Sequence, residues 1–127
     1  MLVRDGQLLA LYREKNGLNY YTTIGGGVEP GETPEQAARR EVKEETSLDV
    51  TLGPLLWQNE LGEDQYEYVY LVTEFQGQPR LGPGPEKDNQ SADNVYRLVW
   101  LPLAQLSQVT LFPGPVDVPR LVEAVTL

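Results

Sequence analysis

Between Gly26 and Leu48 the chain runs from a glycine-rich loop through a proline-glycine turn into a helix with clustered acidic residues, and this stretch restricts the fold more than any other. Gly25, Gly26 and Gly27, with Pro30-Gly31, form a loop. Thr33, Pro34 and Gln36 then read as the N-cap, N1 and N3 positions of a capping-box start. These signals predict a helix from Thr33 to Thr46. At roughly 100° per residue, setting Glu41 at zero places Glu44 at about −60° and Glu45 at about +40°. Ala37 and Ala38 share that sector and Val42 borders it, while Gln36, Arg39 and Lys43 take the opposite side. An amphipathic helix ordinarily keeps carboxylates away from its small apolar residues. Here they share the stripe that must face the protein body, which disfavours the other reading, a solvated acidic helix. Glu41 and Glu45, four apart, also repel each other. A half-buried cleft tolerates such a cluster when a cation sits in it, and hard Mg²⁺ takes a few carboxylate oxygens together with waters and substrate phosphates. Arg40 reaches Glu44 at i,i+4, or equally another carboxylate or the preceding loop.

The same residues carry a resemblance. Gly26, five residues, Glu32, seven residues, Arg40-Glu41, apolar Val42, one residue, Glu44-Glu45, one residue, position 47 and apolar Leu48 together resemble the signature of the Nudix hydrolases. The likeness covers 23 residues directly, and the strand pattern extends it over most of the chain. The family ordinarily has glycine where this chain has Ser47, a position suited to a left-handed residue ending the helix. The resemblance implies that Glu41, Glu44 and Glu45 bind Mg²⁺, with Mn²⁺ as substitute, Glu45 and Glu41 foremost. It implies that the Gly26 carbonyl joins the metal shell, and that Glu32 and Arg40 brace the loop and helix. Glu41, Glu44 and Arg40 are thus the expected catalytic residues, and hydrolysis of a phosphoanhydride by water is the expected reaction. The general base is left open between Glu41 and Glu44 on the helix and Glu86, Asp88 and Asp93 downstream.

Composition narrows the chemistry. The chain has 127 residues, enough for one domain with a real core, and a formal charge of −9. Nucleic-acid binders usually carry a basic stripe, so a nucleic-acid polymer is not the expected partner, and an anionic substrate would depend on metal ions. With no cysteine and no histidine, disulfides, thiolate nucleophiles, Ser-His and Cys-His mechanisms and His-ligated zinc are excluded. There is no apolar run near membrane-spanning length and no signal peptide, so the expected partner is not a membrane and the expected location is cytoplasmic.

Around the helix the chain reads as short strands. Gln7 to Arg13 follows the Arg4-Asp5-Gly6 turn, and Leu18 to Ile24 leads into the glycine loop. Asp49 to Gln58 and Gln65 to Phe75 form an expected hairpin or neighbouring pair, with Tyr66, Tyr68 and Tyr70 on one face of the latter and Val69 and Leu71 on the other. Residues 77–94 read as a long loop. A strand at Val95 to Trp100, a short helix or turn at Pro102 to Leu106 and a final helix at Pro119 to Val125 complete the pattern. A single α/β domain spanning residues 1–127 follows, its mixed sheet flanked by helices. The resemblance implies the Nudix α/β/α sandwich. Met1-Leu2-Val3 ends at a turn sooner than the first strand of similar proteins, so either that strand is short or the natural start precedes Met1.

The substrate is only partly specified. Tyr12, Tyr20, Tyr21 and Trp57 are candidates for stacking on a base, although aromatics in strands more often fill a core. Arg13, Lys15 and Arg97 are candidates for phosphate contact. The subgroup pattern of ADP-ribose-cleaving members is not met, and those of the coenzyme A and NADH members are not evident. Residues 31–38 and Phe112-Pro113 are similar to the nucleoside-triphosphate sanitising members. The expected substrate is therefore a nucleoside triphosphate or another nucleoside-diphosphate derivative. The alternative is a catalytically inactive Nudix-like module that binds a nucleotide or phosphorylated metabolite; such modules commonly lose one or more glutamates, and Glu32, Glu41, Glu44 and Glu45 are all present. The tyrosine face of Gln65 to Phe75 is a candidate homodimer contact.

Overall fold

Two tight turns order the first part of the chain in the computed structural model, which describes residues 1–80, 94–112 and 116–126. Asp5-Gly6 and Asn16-Gly17 have φ of 52°, 73°, 52° and 81°, the geometry of two-residue hairpin loops that match strand twist. They join β1 (Val3–Arg4), β2 (Gln7–Lys15) and β3 (Leu18–Thr23) into antiparallel hairpins. One edge of β2 is shared, with Val3 opposite Leu8 near its start and β3 opposite its second half from Ala10 to Lys15. Its other edge pairs along its whole length with β8 (Asn94–Pro102), from Gln7 opposite Pro102 to Lys15 opposite Asn94. β9 (Leu111–Phe112) runs parallel to β3, which makes the sheet mixed.

Alternation along β2 then divides the core in two. Leu8 and Ala10 face a cluster with Leu56, Val69, Leu101 and Leu106, whereas Leu9 and Leu11 face Leu2, Ile24, Leu48, Val72 and Tyr96. Helix α1 (Pro34–Thr46) contributes Val42 to the second cluster. Helix α2 (Val118–Thr126) contributes Leu121 to the first, beside Leu103 and Leu106 from the 3₁₀ turn Leu103–Gln108. The sheet therefore lies between helices, the α/β/α arrangement that the Nudix resemblance implies.

The remaining strands are more broken than their composition suggests. The expected strand from Asp49 to Gln58 is two, β4 (Val50–Thr51) and β5 (Leu55–Gly62), and the expected strand from Gln65 to Phe75 is β6 (Gln65–Tyr70) and β7 (Glu74–Phe75). They still pair as one interrupted antiparallel hairpin, β5 with β6 and β4 with β7. The interruption falls where Gly53 N–H donates to Leu71 O at 2.7 Å and Leu71 N–H to Pro54 O at 2.9 Å, since Pro54 has no N–H to extend the ladder. On the other strand Val72 leaves the hairpin for the N-terminal segment: Val3 N–H donates to Val72 O, and Val72 N–H to Met1 O. Met1, Leu2 and Val3 are buried there. On the tyrosine face only Tyr66 is well exposed, because Tyr70 is drawn onto α1 by a hydrogen bond from its hydroxyl to Glu35 Oε1 at 3.3 Å.

Candidate active site

Helix α1 begins and ends where its capping residues dictate. Gln36 N–H donates to Thr33 Oγ1 at 3.2 Å and Thr33 N–H to Gln36 Oε1 at 2.9 Å, so the capping box closes in both directions. At the other end Ser47 adopts the left-handed conformation, φ 65° and ψ 10°, and its N–H donates to Lys43 O. Serine thus takes up the geometry for which the family ordinarily has glycine. Thr46, wholly buried, donates from Oγ1 to Val42 O and accepts from Leu48 N–H, which satisfies the last turn inside the core.

The helix face is divided as its sequence predicts. Ala37, Val42 and Thr46 are buried, Glu41, Glu44 and Glu45 lie half-buried beside them, and Gln36, Arg39 and Lys43 are exposed. Arg40 ties this face to the loop before it. Its Nε donates to Glu32 Oε2 at 2.7 Å and its Nη2 to Glu32 Oε1 at 3.0 Å, a two-pronged pairing. Nη2 also donates to Gly27 O at 3.1 Å, and Nη1 to Glu41 Oε1 at 2.9 Å and Glu44 Oε2 at 3.3 Å. The alternatives left open for Arg40 are thus all realised at once. Glu32 Oε1 accepts as well from Glu29 N–H at 2.9 Å. The side-chain hydrogen bonds from Arg40, then that backbone bond, hold the Glu32 carboxyl below its ordinary value, and pairing with Glu32 raises the Arg40 guanidinium above its own.

The glycine loop meets the helix carboxylates at contact distance. Gly25 N–H donates to Glu45 Oε2 at 2.9 Å. A Cβ on Gly26 would lie 2.5 Å from Glu41 Oε1, so a side chain here would have to displace the Glu41 carboxylate. Gly26, Glu41 and Glu45 are thus brought together, while Glu44 turns toward Arg40 and is more open to solvent. Among the described residues no three His, Cys, Asp or Glu side chains converge as a ready-made metal set, because Arg40 holds Glu41 and Glu44, and Glu45 is held on Gly25. The donor types, carboxylate oxygens and peptide carbonyls, nevertheless suit a hard divalent cation. Glu86, Asp88, Asp93 and Pro113 lie outside the described residues.

One carboxylate at this loop escaped the sequence reading. Glu67, on β6, is 4% exposed and accepts from Asn59 Nδ2, its cross-strand partner, at 3.1 Å. Burial raises its carboxyl above the ordinary glutamate value, opposed by the Asn59 hydrogen bond and then by the Met1 ammonium. Its signal was its place in the alternation, an acid on the same face as Val69 and Leu71.

The NUDIX domain family model matches residues 1–122. The chain belongs to the Nudix family. In the Nudix fold it aligns with the solution structure of the Escherichia coli ORF135 protein, TM-score 0.68 and 25% identity, over 100% of this chain and 85% of that one. A MutT NUDIX hydrolase from Burkholderia pseudomallei aligns with TM-score 0.63 and 25% identity, over 95% of this chain and 88% of that one. Among curated Nudix relatives, the NAD-capped RNA hydrolase NudC of Vibrio atlanticus is 45% identical over 47 residues, 37% of this chain and 18% of that protein. The dihydroneopterin triphosphate diphosphatase of Escherichia coli is 38% identical over 47 residues, 37% of this chain and 31% of that protein. The matched stretch therefore spans less than a third of either relative.

Proposed function

We propose that this Nudix chain is a Mg²⁺-dependent hydrolase that cleaves a phosphoanhydride bond in a nucleoside triphosphate or another nucleoside-diphosphate-linked substrate. The observation that carries the reading is the set of half-buried carboxylates Glu41, Glu44 and Glu45 beside the glycine loop, the first two held by Arg40, which Glu32 braces, and Glu45 by the Gly25 N–H. Water adds to one phosphorus, the P–O bond to the bridging oxygen breaks, and the leaving phosphate takes the bond's electron pair. The water's proton passes to a carboxylate, drawn from Glu41, Glu44, Glu86, Asp88 or Asp93. Glu41, Glu44, Glu45 and the Gly26 carbonyl would hold Mg²⁺, or Mn²⁺ in its place. When bound, the metal supplies charge neutralisation for the phosphates and a more acidic water. Arg40 acts through its neighbours, fixing the loop carbonyl of Gly27 and the helix carboxylates relative to one another.

The names of the two curated relatives support this substrate class, because NAD and a triphosphate both contain a phosphoanhydride. Retention of Glu32, Arg40, Glu41, Glu44 and Glu45 weighs against the inactive binding module. The test is a panel of nucleoside triphosphates, nucleotide sugars, ADP-ribose, dinucleoside polyphosphates and non-nucleotide diphosphates, assayed with and without Mg²⁺ for released phosphate or pyrophosphate. We expect metal-dependent turnover of at least one compound, reduced by about 10²-fold or more in Glu45→Gln, as befits loss of a principal electrostatic group. Undiminished activity in Glu45→Gln would overturn the assignment.

A further inference from the structure

We propose that Glu67 belongs to the cation site, adding a carboxylate from the sheet to those of the helix; this rests on the metal-dependent reading above. Glu45 and Glu67 meet the same residue of the loop. Glu45 Oε2 accepts the Gly25 N–H at 2.9 Å, and a Cβ on Gly25 would lie only 2.6 Å from Glu67 Oε2. Glu41 abuts the next residue, Gly26, just as closely. Two successive glycines are therefore flanked by carboxylates from two elements, α1 and β6.

The second observation is what Glu67 lacks. The residue is 4% exposed, with Oε1 accepting from the neutral amide of Asn59 and Oε2 at its residual opening to solvent. Oε2 accepts from no described residue, and no described lysine or arginine pairs with Glu67. The Met1 amino group is the positive charge that it feels, and burial pulls that group down to about 6, so it is mostly neutral at physiological pH. A buried carboxylate is costly unless an opposite charge compensates it. A hard divalent cation at this loop offsets the charge of Glu67 as well as that of Glu45, and the Asn59 hydrogen bond keeps Oε2 turned toward it.

Mn²⁺ alone, titrated into the whole chain and followed by calorimetry or by the resonance signal of free Mn²⁺, tests the idea without any substrate. The unmodified chain is expected to bind, Glu67→Gln to bind at least tenfold more weakly, and Glu67→Asp, which keeps the charge but shortens its reach, to fall between them. The metal-free melting temperature of Glu67→Gln is expected to equal or exceed that of the unmodified chain, because the substitution removes an uncompensated buried charge; a metal-free melting temperature well below it would mark Glu67 as a structural residue and overturn the proposal. Mn²⁺ affinity within twofold of the unmodified chain in both Glu67 variants, alongside a tenfold loss in Glu45→Gln, would refute the role of Glu67 and leave the broader reading standing. Absence of Mn²⁺ binding by the unmodified chain would remove both.

Discussion

Arg40 is the residue on which the site depends mechanically. It joins Glu32 and Gly27 of the loop to Glu41 and Glu44 of the helix through five hydrogen bonds at 3.3 Å or less. Its pairing with Glu32 also has a pH signature. The Glu32 carboxyl sits below its ordinary value of 4.5 when folded, so in acid the unfolded chain binds the proton first. The contribution of Glu32 to stability is therefore complete above about pH 4.5 and is lost as pH falls through the folded value. Melting temperatures of the unmodified chain and Glu32→Gln should differ at about pH 7 and converge as pH falls below the ordinary carboxylate range. A gap that stays constant over that range would show that Glu32 stabilises the loop by packing rather than by charge. Arg40→Lys keeps a positive charge but not the planar fork, and we expect it to lower both melting temperature and turnover, read by thermal scanning and by the phosphate-release assay.

At the scale of the element, α1 was the part most legible in the sequence. Thr33, Pro34 and Gln36 announce its start because the capping box is a contact among near neighbours in sequence, and the sector shared by Ala37, Glu41 and Glu45 follows from helical geometry alone. Its exit was open to question because of Ser47. The left-handed φ of 65° at Ser47 carries a strain that Ser47→Gly relieves, by about 1–2 kcal/mol, against about 0.4–1 kcal/mol for the added freedom of glycine in the unfolded chain. We expect Ser47→Gly to stabilise the protein by about 0.5 kcal/mol and Thr33→Ala to destabilise it by about 1 kcal/mol, both measured by urea unfolding. The breaks between β4 and β5 and between β6 and β7 were not legible in this way. They arise where Gly53 meets Leu71 and where Val72 turns to pair with Met1 and Val3, contacts between segments far apart in sequence. Glu67 was missed for a related reason, since its partner Asn59 and its neighbour Gly25 come from other elements.

At the scale of the whole molecule, β2 separates two cores that can be probed independently. Leu8 and Leu9 are adjacent and both fully buried, at 0% and 1% exposure, but face opposite sides of the sheet. Truncating either to alanine should cost about 2–5 kcal/mol in denaturant unfolding. Only Leu9 shares a cluster with Val42 of α1, so Leu9→Ala should also weaken Mn²⁺ binding while Leu8→Ala leaves it near that of the unmodified chain. Equal effects on the metal would mean that α1 takes its position from the loop and Arg40 rather than from the core beneath it.

The crowding at the glycine loop bears on how this chain can vary. At Gly25 and Gly26 the space where a side chain would begin is occupied by carboxylate oxygens at 2.6 Å and 2.5 Å, whereas at Gly27 the nearest atom is 3.5 Å away and at Gly62 nothing lies within 4 Å. A saturation library selected for function should therefore return glycine alone at the first two positions, small residues at the third and a broad range at Gly62. The carboxylates beside this loop leave it little room for mutational drift, so variation is expected to enter through other parts of the chain.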